Sequence, residues 1–127
     1  MKKQIIILVV SLIVVIYCGI WEINYLDKTS MYLKSDINNV RNLVQNNNFD
    51  MAMTGYENIE KTWNNMTKLW NIFVNHDRID YLEETMVMLK VNIQTNEKEE
   101  AIEQTNKLER IISQIVDKQK PTFEHIL

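Results

Sequence analysis

The chain offers little for chemistry: two histidines, one cysteine and seventeen carboxylates in 127 residues. Its densest group is His76-Asp77-x-x-Asp80, with Glu83 and Glu84 one turn further on. An imidazole and a carboxylate at i and i+4 share a helix face, so this spacing could hold a cation or pass a proton. A metal site needs three or four converging ligands, usually with a second imidazole or a thiolate. The other histidine, His125, lies 49 residues away. A helix start is the simpler account, with Asp77 as N-cap and Asp80 favoured by the dipole of the first turn. There is no Gly-rich phosphate loop, cysteine pair or nucleophile–histidine spacing. The expectation is no catalytic residue, no metal, no cofactor and no small-molecule substrate, hence not an enzyme.

Two larger side-chain sets have blander accounts as well. Trp63, Trp70 and Phe73 could form an aromatic ligand box, and Met51, Met53, Met66, Met86 and Met88 an adaptable groove. All three aromatics fall in helical phase, as do only Met66 and Met86 of the methionines, so core packing explains them. Asn65-Met66-Thr67 fits a glycosylation sequon, but it falls in mid-helix. The acidic run Glu97–Glu103 reads as a solvated first turn.

The element that must position everything else is Ile5–Trp21, IIILVVSLIVVIYCGIW, a run without a charged residue. At ~1.5 Å per residue it spans about 25 Å, and snorkelling Lys2 and Lys3 extend it to the roughly 30 Å of a bilayer core. A cleaved signal peptide needs small residues before its cut. Here Tyr17 sits ahead of Cys18 and Gly19, which favours an uncleaved anchor and disfavours lipidation of Cys18. Lys2 and Lys3 before the run, with Glu22 and Asp27 after it, predict a cytoplasmic N-terminus and an extracytoplasmic domain at the cell membrane. Trp21 and Tyr25, four residues apart, suit an interfacial aromatic belt.

All seventeen Asp and Glu follow Trp21, against twelve of the fourteen Lys and Arg, so the part beyond the run is net −5 with no basic stripe. Nucleic acid is not an expected partner. Two Gly and one Pro leave little turn chemistry and favour long helices.

Four heptad seams follow. Leu26, Ser30, Leu33, Ile37, Val40 and Val44 continue from the anchor without a break, so one helix over 3–46 is expected. Asn46-Asn47-Asn48 ends it. Ala52, Tyr56, Ile59, Trp63, Met66, Trp70 and Phe73 mark a second helix over 49–74. Gly55 beside that seam costs about 1 kcal/mol relative to Ala unless a neighbouring helix comes close there. Ile79, Leu82, Met86, Leu89 and Ile93 mark a third, over 78–95, and Ala101, Thr105, Leu108, Ile112 and Ile115 a fourth, over 97–118. Asn96-x-x-Glu99 reads as a capping-box variant opening the fourth, and Pro121 as its stop. At an offset of 49 the second pair of seams falls on the first, which suggests two hairpins of one design.

The stretch GIWEINYLDKTS at the anchor's exit, Phe49-Asp50-x-Ala52, and Trp63…Leu69-Trp70…Phe73-Val74-Asn75-His76 with Ile79-Asp80 carry a likeness over nearly the whole chain. In these the chain resembles the small single-pass membrane proteins of Firmicutes grouped as the domain of unknown function 4363 family. That resemblance implies an anchored helical protein of a spore-forming or related Gram-positive bacterium, with no assigned activity and no catalytic residues to carry over.

The reading is therefore all-α: an N-terminal transmembrane helix continuing into an antiparallel bundle of two helical hairpins. Residues 1–25 form anchor and interface, 26–120 the bundle and 121–127 a tail. The expected function is an accessory or scaffold protein docking another membrane protein; the alternative is an extracytoplasmic ligand-binding or sensor domain. Expected partners are membrane lipid and another membrane protein. Contact is expected through Trp21, Tyr25, Phe123, Ile126 and Leu127, since the bundle's other aromatics are committed to its core.

Overall fold

The computed structural model describes the backbone of residues 1–126 and the side chains of residues 1–118. The chain forms α1 (Lys2–Gln45), α2 (Phe49–Phe73), α3 (His76–Gln94) and α4 (Lys98–Ile126), with no strand among the described residues. Helix α1 packs against α2 and α4, and α3 against α4 and, more thinly, α2. Short connections make sequential neighbours antiparallel. The result is an up-and-down four-helix bundle with α1 and α3 on a diagonal.

Helix α1 is continuous from the apolar run into the bundle. No helix-breaking residue stands between the two parts, and Thr29 and Ser30 donate their hydroxyls back to the Tyr25 and Asp27 carbonyls at 2.8 Å rather than opening the ladder. The apolar run is exposed along its length, and α1 is long and apolar enough to cross a membrane. Burial begins at Leu26 and then repeats at Ser30, Leu33, Ile37, Val40 and Val44, which is the α1 seam in full. The other helices bury their seams too, except that Phe73 is only half-buried. Helices α3 and α4 add Thr85, Asn92, Gln104, Ile111 and Val116 to the buried set, so their buried faces are wider than an a/d stripe.

Two turns have one geometry. After α1, Asn47 takes φ 60°, its N–H donating to the Val44 carbonyl at 3.0 Å and that of Asn48 to Leu43 at 2.9 Å. After α3, Asn96 takes φ 56°, its N–H donating to Ile93 at 3.2 Å and that of Glu97 to Asn92 at 2.9 Å. Both are Schellman motifs, with asparagine filling the left-handed position that glycine usually takes. Ala52 and Ala101 follow at equivalent places, and each donates its N–H to the carbonyl four residues back, of Asn48 and Glu97, at 2.9 Å, the first helical bond after the turn. The offset of 49 is thus realised in backbone geometry as well as in seam spacing.

Three boundaries differ from expectation. Asn96 is the left-handed residue closing α3, so it is not a cap for α4; a side chain at φ 56° is committed to the preceding helix's exit. Helix α3 starts two residues early because Asn75, not Asp77, is the N-cap: its Oδ1 accepts from the Asp77 N–H at 3.2 Å, which leaves Asp77 in the first turn. Helix α4 runs past Pro121 to Ile126. A proline removes one amide donor and crowds the preceding turn, which biases a helix towards ending without forbidding continuation.

The close approach that Gly55 allows is present. A Cβ built there would lie 2.9 Å from Val40 Cγ2, so α1 and α2 touch at a point where only glycine fits without adjustment. The helix-propensity cost is set against that contact.

Candidate functional site

The site that the sequence places at the anchor's exit is built from two helices. Trp21 and Tyr25 lie one turn apart on α1 and stack, with ring centroids 5.5 Å apart and an interplanar angle of 19°. Phe73, in the last turn of α2, meets Trp21 edge-on at 6.0 Å. One turn further along α1, Trp70 Nε1 donates to Thr29 Oγ1 at 2.9 Å, and Trp70 also meets Trp63 edge-on at 5.5 Å. A run of aromatic contacts and one hydrogen bond therefore connects the end of the apolar run to the core.

Trp21 itself remains 47% exposed, Ile20 before it 46%, and Ile72 in the final turn of α2 71%. Tyr25 is half-buried against the core. Burial raises the Glu22 carboxyl above the ordinary carboxylate range, so this acid beside Trp21 loses its charge more readily than a solvated glutamate. The site is an amphipathic collar: exposed apolar rings and aliphatic chains, one acid of raised pKa, and firm bracing from behind. Phe73 and Ile72 were missed as members of it. Phe73 is in seam phase and reads as core, while Ile72 is out of phase and reads as an isolated surface residue. The side chains of Phe123 and Ile126, and Leu127 altogether, lie outside the described residues.

The His76 cluster sits at the same end of the bundle. His76 Nε2 and Asp80 Oδ1 are 3.8 Å apart, with both side chains well exposed, and Asp77 is exposed in the first turn of α3. Among the described residues no group of three or more His, Cys, Asp or Glu converges as a metal site would require. Cys18 is exposed within the apolar run.

A polar tie towards the end of the bundle remote from the apolar run was also missed. Arg41 Nε donates to Thr105 Oγ1 at 3.2 Å, Nη1 to Asn38 Oδ1 at 3.3 Å, and Nη2 lies 2.8 Å from Glu109 Oε1. It links α1 to α4 across 64 residues of sequence and gives a largely buried guanidinium hydrogen bonds at Nε and Nη1, while the buried Nη2 is met by the Glu109 charge alone and makes no hydrogen bond. No local spacing reveals such a partner, because it depends on which helices become neighbours.

A groove of about 470 Å³ lies between α3 and α4, its lining including Asp77, Arg78, Tyr81, Lys107, Arg110 and Gln114. The sequence shows no basic stripe, and none exists along any one helix; these cations meet only across two.

No curated protein and no solved structure matches the chain. Its residues 20–126, which take in the collar and the whole bundle, match one family model, and on that match the chain belongs to the family of the domain of unknown function DUF4363.

Proposed function

We propose that this protein is a non-enzymatic, single-pass accessory or scaffold protein. In this reading the N-terminus is cytoplasmic, the bundle stands outside the cell membrane, and the collar at the anchor's exit docks another membrane protein. The observation that carries the reading is the continuity of α1 from the apolar run into the bundle core, braced at the exit by Trp21, Tyr25 and Phe73. A stiff helix through the interface fixes the height and orientation of the bundle over the bilayer. The exposed faces of Trp21, Ile20 and Ile72 then lie at a constant level for a partner's transmembrane helix to meet.

In-cell photo-crosslinking tests the proposal. A crosslinking amino acid at position 21, 72 or 123 is expected to give a discrete protein adduct, and one at position 100, at the far end of the bundle, none. Labelling of lipid alone from the first three positions, or adducts confined to position 100, would refute docking at the collar.

A further inference from the structure

We propose that the groove between α3 and α4 binds a phosphate-bearing polyanion. Arg78 comes from the first turn of α3, and Lys107 and Arg110 stand one turn apart on α4; together they face one concavity of about 470 Å³. The part of the chain beyond the apolar run is net −5, yet this groove gathers three cations against the single carboxylate of Asp77. None of the three is in an ion pair among the described residues. Arg78 Nη1 donates to the neutral Gln114 Oε1 at 3.3 Å, and Lys107 and Arg110 have no hydrogen-bond partner there.

Uncompensated like charges held on two packed helices repel one another, and an anion relieves that repulsion. The donor set selects the class of anion. Two guanidinium forks match the paired oxygens of a phosphate, and an ammonium adds a point charge beside them. Tyr81 and Gln114 add neutral donors to the lining. Three cations less the Asp77 carboxylate leave a net +2, of which a lone carboxylate would match half, whereas a phosphate dianion or a pair of phosphodiesters would balance it.

The position of the groove admits two sources of that chemistry. Arg78 follows closely on the α2–α3 turn, whose flanking Phe73 touches Trp21, so one end of the groove lies near the anchor's exit and within reach of an anionic headgroup. A soluble phosphate compound would present the same oxygens. This inference stands apart from the docking reading, since collar and groove share no residue.

The test uses the full chain in lipid nanodiscs, with thermal unfolding followed by tryptophan fluorescence. One arm adds inorganic pyrophosphate to discs of phosphatidylcholine, and the other replaces a third of that lipid with phosphatidylglycerol. A ligand that binds only the folded state raises the melting temperature, here by roughly 5 °C near saturation. The rise is expected in at least one arm and falls below about 1 °C when Lys107→Gln and Arg110→Gln are combined. Lys61→Gln with Lys98→Gln, an equal charge change outside the groove, is expected to keep it. A rise with pyrophosphate alone identifies a soluble ligand, and a rise with phosphatidylglycerol alone a lipid headgroup. No rise in either arm, or equal loss in both double variants, overturns the proposal.

Discussion

The two hairpins of the bundle share a turn and differ in what holds their helices together. In both, an asparagine at φ near 60° closes the first helix, and a fully buried alanine opens the return. The α1–α2 hairpin is then fastened by specific contacts. Val40 lies against Gly55, Thr62 Oγ1 donates to Asp36 Oδ2 at 3.1 Å, Trp70 donates to Thr29, and two tryptophans fill the interface. The α3–α4 hairpin buries aliphatic side chains, one methionine and the polar Thr85, Asn92, Gln104 and Thr105, but no described aromatic, and its cross-helix hydrogen bond, Arg78 to Gln114, is exposed. One backbone design thus serves two ends. The first hairpin carries the continuation of the apolar run and is pinned to it; the second is held mostly by non-directional burial, which leaves its outer face free to gather charge.

The comparison can be broken first at the core. Trp63 and Ile112 occupy equivalent positions, 2% and 1% exposed. Trp63→Ala is expected to cost roughly 3–5 kcal/mol and Ile112→Ala about 2–5 kcal/mol. The edge-on Trp70 contact adds about 0.5–1.5 kcal/mol to the former. Denaturant melts of the full chain in detergent micelles measure both. An unaffected midpoint for either variant, matching that of exposed Lys61→Ala, would mean that the two seams are not equivalent cores.

The turns come next. Replacing Asn47 or Asn96 by Val puts a β-branched residue at positive φ and is expected to cost about 1–2 kcal/mol at each site, with glycine close to neutral. Equal losses in the same melts sharpen the case that the hairpins share one turn. A loss at one site alone would show that the other turn relaxes to a different geometry.

The smallest effect distinguishes the hairpins. At an exposed helical position Gly→Ala gains about 1 kcal/mol. At Gly55 the added methyl meets the buried Val40 at 2.9 Å, and overpacking of roughly 1–3 kcal/mol outweighs that gain. Gly55→Ala is therefore expected to lower the unfolding midpoint slightly. A raised midpoint would mean that α1 and α2 can separate there at little cost, and that the first hairpin is no more specifically fastened than the second.

Much of this architecture was legible from the sequence because its determinants are local. The apolar run, the absence of breakers between Trp21 and Leu26, and the seams at heptad spacing depend on neighbours three and four residues away, and every seam residue but Phe73 is buried as its spacing implies. The breaks at Asn46–Asn48 and Thr95–Asn96 were legible for the same reason. Finer boundary detail was not. Asn75 and Asp77 are both good caps, and the choice between them rests on where the α2–α3 turn places each side chain.

What only the tertiary structure decided is everything that needs two helices at once. Gly55 is an unfavourable helix residue until Val40 is set against it, and Phe73 is a core residue until Trp21 takes one of its edges. Arg41 becomes a tie only beside Thr105 and Glu109. Arg78, Lys107 and Arg110 are ordinary solvated cations along the chain and become a cluster only when α3 and α4 lie side by side. The physical reason is range. Helix formation and amphipathic phase are settled within a turn or two of backbone, whereas a groove's charge depends on how the phases of two packed helices align. That alignment is set by the volumes of the side chains buried between them.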